Sequence, residues 1–137
     1  MSASRDVHSP RSGPPFLRLN AWPYRLEMAG ATITILALLF YGRLAVAGDL
    51  DVLATIFWFL WPDLAAFIPI GLASLRRRRW PGWGSHLYNV FHTFLVWAAV
   101  FLVWSAWIGG IAWPLLGWAA HIAMDRTFGY HLRASPK

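Results

Sequence analysis

From Trp80 to Met124 the chain carries not one Asp, Glu, Lys or Arg, and this uncharged stretch constrains the fold more than any other feature. A soluble domain of 137 residues has nowhere to hide so long an apolar run. Domains of this size bury only about 60–70% of the surface their unfolded chains expose. The composition agrees: 58% of residues are hydrophobic and 13% charged, against roughly 25% charged in an ordinary soluble domain. A bilayer is the solvent that suits such a chain. The sequence therefore predicts an all-α, polytopic membrane protein of one domain. With no cysteine, disulfides and thiolate metal sites are excluded.

A polar segment comes first, residues 1–25, rich in Pro, Ser and Arg and expected to be mobile up to Trp22. Four apolar spans follow, at about Leu26 to Ala47, Val52 to Leu75, His86 to Trp107 and Ile111 to Phe128. Each is near the roughly 20 residues that cross hydrocarbon at about 1.5 Å per residue. The breaks are GDLD (48–51), RRRRWPGWGS (76–85) and WIGG (107–110), all with the glycine that chain reversal favours. Backbone groups in lipid must be satisfied internally, and no barrel-like alternation is present, so the spans are predicted to be helices in a four-helix transmembrane bundle, 26–130. Residues 131–137 form a short tail. AVAG at 45–48 resembles a signal-peptidase site, but Arg43 and Glu27 flank and interrupt the apolar run before it.

Four crossings place both termini and the Arg76–Arg79 loop on one side. That side holds every basic residue except Arg43, which lies beside Asp49 and Asp51. Loops rich in Lys and Arg stay in the cytoplasm, so both termini are expected there. This distribution also explains the net charge of +6 without nucleic acid as a partner. Arg76, Arg77, Arg78 and Arg79 read as a topogenic loop in contact with anionic lipid headgroups.

The polar residues inside the spans are few: Glu27 in the first, Asp63 in the second, His86, Asn89 and His92 in the third, His121 and Asp125 in the fourth. Counted from the cytoplasmic end at about 1.5 Å per residue, His92 and His121 lie roughly 9–10 Å deep, Asp125 roughly 5 Å and Glu27 within roughly 3 Å. Asp63 comes out deeper, about 18 Å, unless its span ends near Pro69. His121 and Asp125 are spaced i,i+4, and Asn89 and His92 i,i+3, so each pair shares a helical face. Ionisable groups in a membrane cost energy and turn inward to meet partners.

Histidine with carboxylate suits zinc, iron or manganese. Asp63, His92, His121 and Asp125 are the candidate ligands of one divalent metal. Glu27 is the candidate catalytic base or fifth ligand, and Asn89 and His86 would orient the ligands by hydrogen bonds. Two other readings stand beside this one. In the first, the groups form a hydrogen-bonded plug that only fixes helix packing, with Asp125 turned outward to an arginine and His121 bonded to a backbone carbonyl. In the second, they line a proton or ion path, for which four helices leave little room unless the protein is a homo-oligomer.

RLEMAG, WPDLAAFIPIG, YNVFH and AHIAMDRTFGYHL resemble a family of small bacterial four-helix membrane proteins, domain of unknown function 4260, over roughly Leu19 to Leu132. The resemblance implies a multi-pass protein of the bacterial inner membrane and no particular activity. Pro-Asp, then His, then His-x-x-x-Asp is also distantly similar to the membrane-bound metal-dependent hydrolases, onto which Asp63, His92, His121 and Asp125 map. That similarity implies metal-assisted hydrolysis of a lipid-linked substrate.

The topology has a direct check. Reporter fusions at the C-terminus and in the 48–51 loop are expected to give opposite locations, the C-terminus cytoplasmic. A C-terminus outside the cytoplasm would mean that the apolar stretch from Trp80 to Met124 has been divided wrongly.

Overall fold

The computed structural model describes residues 21–46, 51–77 and 81–133. The polar segment 1–20, most of the 48–51 loop, Arg78, Arg79 and Trp80, and the last residues 134–137 lie outside the described residues, as do the side chains of Arg76 and Arg77. The expectations of a mobile N-terminal segment and of an arginine loop on lipid fall there.

The described residues are all helical in their regular structure. Helix α1 (Trp22–Tyr41) has a proline in its first turn, where the fixed φ is already helical and the missing N–H costs nothing. It runs into a π-helical turn, Gly42–Val46. Helix α2 (Val52–Arg77) starts on Asp51, whose Oδ1 accepts from the Ala54 N–H at 2.9 Å, a side-chain cap for the exposed first-turn donors. Pro62 and Pro69 both lie within α2, so the helix does not end near Pro69. It continues about two turns further and ends in basic residues.

The third apolar span is not one helix. Helix α3 (Gly84–Phe91) and helix α4 (Phe94–Ile108) are bent by 53° across His92 and Thr93. Helix α4 closes on Gly109 at φ 66°, with Gly110 N–H on the Ser105 carbonyl at 3.1 Å, a glycine-terminated cap. The expected fourth span is also different. It begins with a 3₁₀ turn, Trp113–Leu115, and helix α5 is only Leu116–Phe128, 13 residues. Two helices, α1 and α2, are long and apolar enough to cross a membrane, or three segments if α3 and α4 form one bent span. Helix α5 is too short to count by length alone.

What α5 lacks in length it makes up in burial. Gly117 to Ala123 and Arg126 are all buried, so it is the central helix, with α1 and α2 packed against it. Its small residues Gly117, Ala119, Ala120 and Ala123 let neighbouring backbones approach, as helix contacts inside membranes require. The directions alternate. Arg25 at the start of α1 donates from Nε to the Thr127 carbonyl at the end of α5, 2.7 Å, and Gly42 after α1 lies against the Trp113 ring before α5, so these two helices are antiparallel. Gly117 faces Thr55 and Phe59, and His121 faces Asp63, which makes α2 and α5 parallel. Trp97 Nε1 donates to the Leu115 carbonyl at 2.9 Å, and Trp118 Nε1 to the Phe91 carbonyl at 2.8 Å, so α3 and α4 run against α5. Trp118, 1% exposed, also stacks on Trp58 at 6.1 Å and 5°. These tryptophans pack the interior through the ring and satisfy carbonyls through the N–H.

The closest approach is at Gly117. A Cβ there would stand 2.7 Å from the Thr55 carbonyl oxygen, a backbone atom with no room to yield. Gly117→Val is expected to destabilise the detergent-purified protein by roughly 1–3 kcal/mol, as overpacking does, read as a clear drop in thermal midpoint. Gly71→Ala, where a Cβ meets nothing within 4 Å, serves as the control and should not lower it.

Candidate metal centre

Each element brings its polar residue to one place. Asp63 follows Pro62 in the middle of α2, His92 is the residue at which α3 stops, and His121 and Asp125 occupy successive turns of α5. His92 Nε2 lies 3.3 Å from Asp63 Oδ1 and 3.7 Å from Asp125 Oδ2. His121 Nε2 lies 3.7 Å from the same Asp63 oxygen and 3.6 Å from the same Asp125 oxygen. The two imidazoles and two carboxylates thus alternate around a ring. Asp63, His92 and His121 offer donor atoms within 4.8 Å of one another, close enough to hold one metal ion. Asp125 is not part of that triad but contacts both imidazoles from the other side.

Depth reasoning that assumed level helix ends puts Asp63 too deep to join. The structure resolves this by overhang. Asp63 is 14 residues, about 21 Å, from the end of α2, whereas His121 is about 10 Å from the end of α5. The last turns of α2 project beyond the other helices, with Leu72 and Leu75 exposed.

The protonation of His92 follows from its partners. Its Nδ1 lies 2.9 Å from the Tyr88 carbonyl. A carbonyl only accepts, so Nδ1 carries the proton, and in the neutral ring Nε2 turns a lone pair towards two carboxylates. Acceptor faces acceptor unless a cation lies between. His121 poses the same problem more sharply. It is 4% exposed, and neither of its ring nitrogens has a hydrogen bond. At 3.6 and 3.7 Å its Nε2 is beyond hydrogen-bond length from both carboxylates. A buried polar group left so costs about 1–3 kcal/mol.

The arrangement departs from the packing plug. Asp125 turns inward to the imidazoles rather than outward to an arginine, and His121 is not bonded to a carbonyl. It is Arg126 that takes a carbonyl, donating from Nη2 to His92 O at 3.0 Å. The cluster is open on one side, since the Asp63 side chain is 45% exposed while those of His92 and His121 are nearly enclosed.

Three expected site residues are elsewhere. Glu27 and His86 are exposed, outside the clustered donors. Asn89 does not orient a ligand. Its Nδ2 donates to the Arg133 carbonyl at 2.8 Å and its Oδ1 accepts the Arg133 N–H at 2.7 Å. The chain after α5 reverses at Gly129, φ 91°, with Tyr130 N–H on the Asp125 carbonyl at 2.8 Å. Asn89 then holds the returning strand. A helix-turn spacing to His92 cannot reveal that, because the partner, Arg133, lies 44 residues further along the chain.

Tyr88 and Arg126 are contributors that residue typing passes over. The Tyr88 ring stacks on His92 at 3.8 Å and 14°, its hydroxyl lies 3.5 Å from Asp125 Oδ2, and the Arg133 guanidinium covers it at 4.7 Å. The i,i+4 spacing of Tyr88 and His92 was the available signal.

A helical bundle with apolar membrane-length helices around a buried His/Asp cluster is therefore the class of protein defined here. Residues 24–137 match the family described as Domain of unknown function (DUF4260), and the chain belongs to that family. No curated protein and no solved structure matches, so the similarity to membrane-bound metal-dependent hydrolases gains no support from them.

Asn89→Ala separates the two roles of that residue. Hydrogen exchange in residues 129–133 is expected to rise while metal content stays at the wild-type level. Loss of metal with no change in exchange would instead place Asn89 with the ligands.

Proposed function

We propose that Asp63, His92, His121 and Asp125 bind a single divalent metal, zinc, iron or manganese, inside a multi-pass protein of the bacterial inner membrane. The observation that carries this reading is His121, enclosed with both ring nitrogens lacking a hydrogen bond and Nε2 aimed between two carboxylates. Bonds of about 2.0–2.2 Å in a tetrahedral site space neighbouring donors by roughly 3.3–3.6 Å. The four neighbouring separations are 3.3, 3.7, 3.6 and 3.7 Å; Asp63, His92 and His121 can share one ion as they stand, and Asp125 completes the set by moving in towards it. His92 further matches a ligand histidine in donating its other nitrogen to a carbonyl. His121 lacks such a partner on Nδ1, a departure from that pattern.

All four segments traverse the bilayer in alternate directions, with both termini cytoplasmic and α5 shielded from lipid by its neighbours. This reading is supported by the antiparallel and parallel pairings around α5 and by the distribution of arginines. The chemistry that suits the centre is hydrolysis of a lipid-linked substrate. A bound metal would lower the pKa of water there and polarise a carbonyl or phosphoryl oxygen. The exposed side of Asp63 is the approach for a substrate, and the buried imidazoles hold the opposite wall. Glu27, exposed on α1, has no part in this reading.

Metal analysis of detergent-purified protein tests it. Wild type supplied with zinc, iron and manganese is expected to retain close to one equivalent of one metal, and His92→Ala/His121→Ala to lose it while keeping its helical spectrum. Equal, near-zero metal in both would overturn the proposal.

A further inference from the structure

Arg126 is 8% exposed, yet its side chain makes one hydrogen bond, Nη2 to His92 O. A guanidinium has five N–H donors and is always charged, and a buried cation ordinarily has an anionic partner. Among the described residues no carboxylate lies within ion-pair distance of Arg126. The carboxylate of Asp125, next in the chain, faces the imidazoles instead. Nor are the other donors of Arg126 sealed in the interior: none of its nitrogens is among the solvent-excluded side-chain atoms that lack a hydrogen bond. They reach a surface. A mostly buried arginine with free donors at an opening is built to receive an anion.

A second observation points the same way. At the same end of α5, Arg25 donates from Nε to Thr127 O and lines a cavity of about 310 Å³ with Trp22, Leu26, Ala29 and Thr127. Arg25 has no carboxylate partner among the described residues either. His131 lies in the field of both arginines. Its pKa is lowered from the ordinary histidine range, first by burial and then by Arg126 and Arg25. Positive charge gathers here while the cavity wall is apolar, a combination that fits a phosphate attached to an organic group.

We propose that Arg126, assisted by Arg25, forms a phosphate-binding subsite beside the His/Asp cluster. The guanidinium fork matches phosphate oxygens in a planar, two-bond contact; Arg126 does not itself line the cavity, and Arg25, whose backbone partner Thr127 is the next residue on α5, is the lining residue that brings the cavity beside it. The ligand chemistry is a phosphate group, whether free in the cytoplasm or the headgroup of a lipid. That this is a substrate subsite rests on the metal reading above. That it binds phosphate does not.

The test uses the full chain and two probes. Inorganic phosphate is titrated into detergent-purified protein by calorimetry. Protein in nanodiscs of phosphatidylcholine, with or without phosphatidic acid, is followed by phosphorus NMR of the headgroups. Wild type is expected to bind at least one probe saturably, and Arg126→Gln to bind it about tenfold or more weakly, the loss of one charge-assisted hydrogen bond. Glutamine retains an N–H for His92 O, and an unchanged melting curve verifies the fold. If that variant does not fold, Arg126→Lys, which keeps charge and a donor but not the fork, takes its place with a several-fold loss expected. Binding of free phosphate identifies a soluble ligand; selective broadening of phosphatidic acid alone identifies a lipid headgroup. Failure of wild type to bind either probe, or equal binding by wild type and the folded variant, overturns the proposal. Wild type that binds phosphate through Arg126 but carries no metal would sink the metal reading and leave the subsite standing.

Discussion

The structure depends on a helix broken inside an apolar segment. Backbone carbonyls that lose their helical partners in a low-dielectric region must find others, because no water replaces them. The last four carbonyls before the break, those of residues 89–92, meet this requirement, and Tyr88 O, which keeps its helical partner, takes a second donor. Tyr88 O receives both the backbone N–H and Nδ1 of His92, and Asn89 O receives the His92 N–H as well, at 3.3 Å. Val90 O receives the Thr93 hydroxyl. Phe91 O and His92 O receive Trp118 Nε1 and Arg126 Nη2. The last two donors both come from α5, two helical turns apart. The break is thus held by the same helix that supplies His121 and Asp125, and the side chain released from helical geometry is His92.

This coupling explains why α5 is short and central. A long lipid-facing helix has only one face available for its neighbours. Here α5 must meet α1, α2 and the α3–α4 break together, so every position from Gly117 to Ala123 is buried. Alanine and glycine are what such crowding permits. Gly117 brings α2 within contact one turn before His121, which sets the separation at which Asp63 and His121 face each other. The Phe59 ring then closes on the edge of His121 at 5.2 Å. Packing without large side chains on one helix and a polar cluster between two helices are consequences of the same close approach.

Much of this was legible in the sequence. The uncharged run from Trp80 to Met124 points to a membrane protein, and the i,i+4 spacing of His121 and Asp125 places both on one face of α5. What was not legible has physical causes. His92-Thr93-Phe94 contains neither glycine nor proline, so nothing local marks the break; it is stabilised by Trp118 and Arg126 from far along the chain. Pro69 suggests an end that α2 does not make. The expectation that all helix ends lie level failed because α2 overhangs, and that one assumption made Asp63 look misplaced. Spacing alone makes Asn89 a residue that orients a ligand, but the αL turn at Gly129 returns the chain to it. Tyr88 and Arg126 escaped because a tyrosine beside an asparagine and an arginine at a helix end look ordinary until their partners are known.

The contrast between a packing plug and a cation site comes down to whether the polar groups satisfy one another. A plug is self-sufficient: each donor meets an acceptor, and nothing is owed to a ligand. In this bundle the supporting polar groups do reach that state, as Trp97, Trp118 and Asn89 each have a partner. The centre does not. Two carboxylate oxygens and the Nε2 of His92, whose proton lies on the other nitrogen, are acceptors crowded together, and His121 adds two nitrogens without hydrogen bonds. Rotating one ring cannot repair this, because the deficit is of positive charge and not of alignment. Protons could supply it in part by converting an imidazole to imidazolium. A divalent ion supplies two charges at one point, and Asp63, His92 and His121 bring their donor atoms close enough to share it. The same bundle then leaves Arg126 with charge to spare just outside the cluster, so excess negative and excess positive charge stand side by side without neutralising each other. In the readings proposed above each side has its own ligand, a cation for the carboxylates and an anion for the guanidinium.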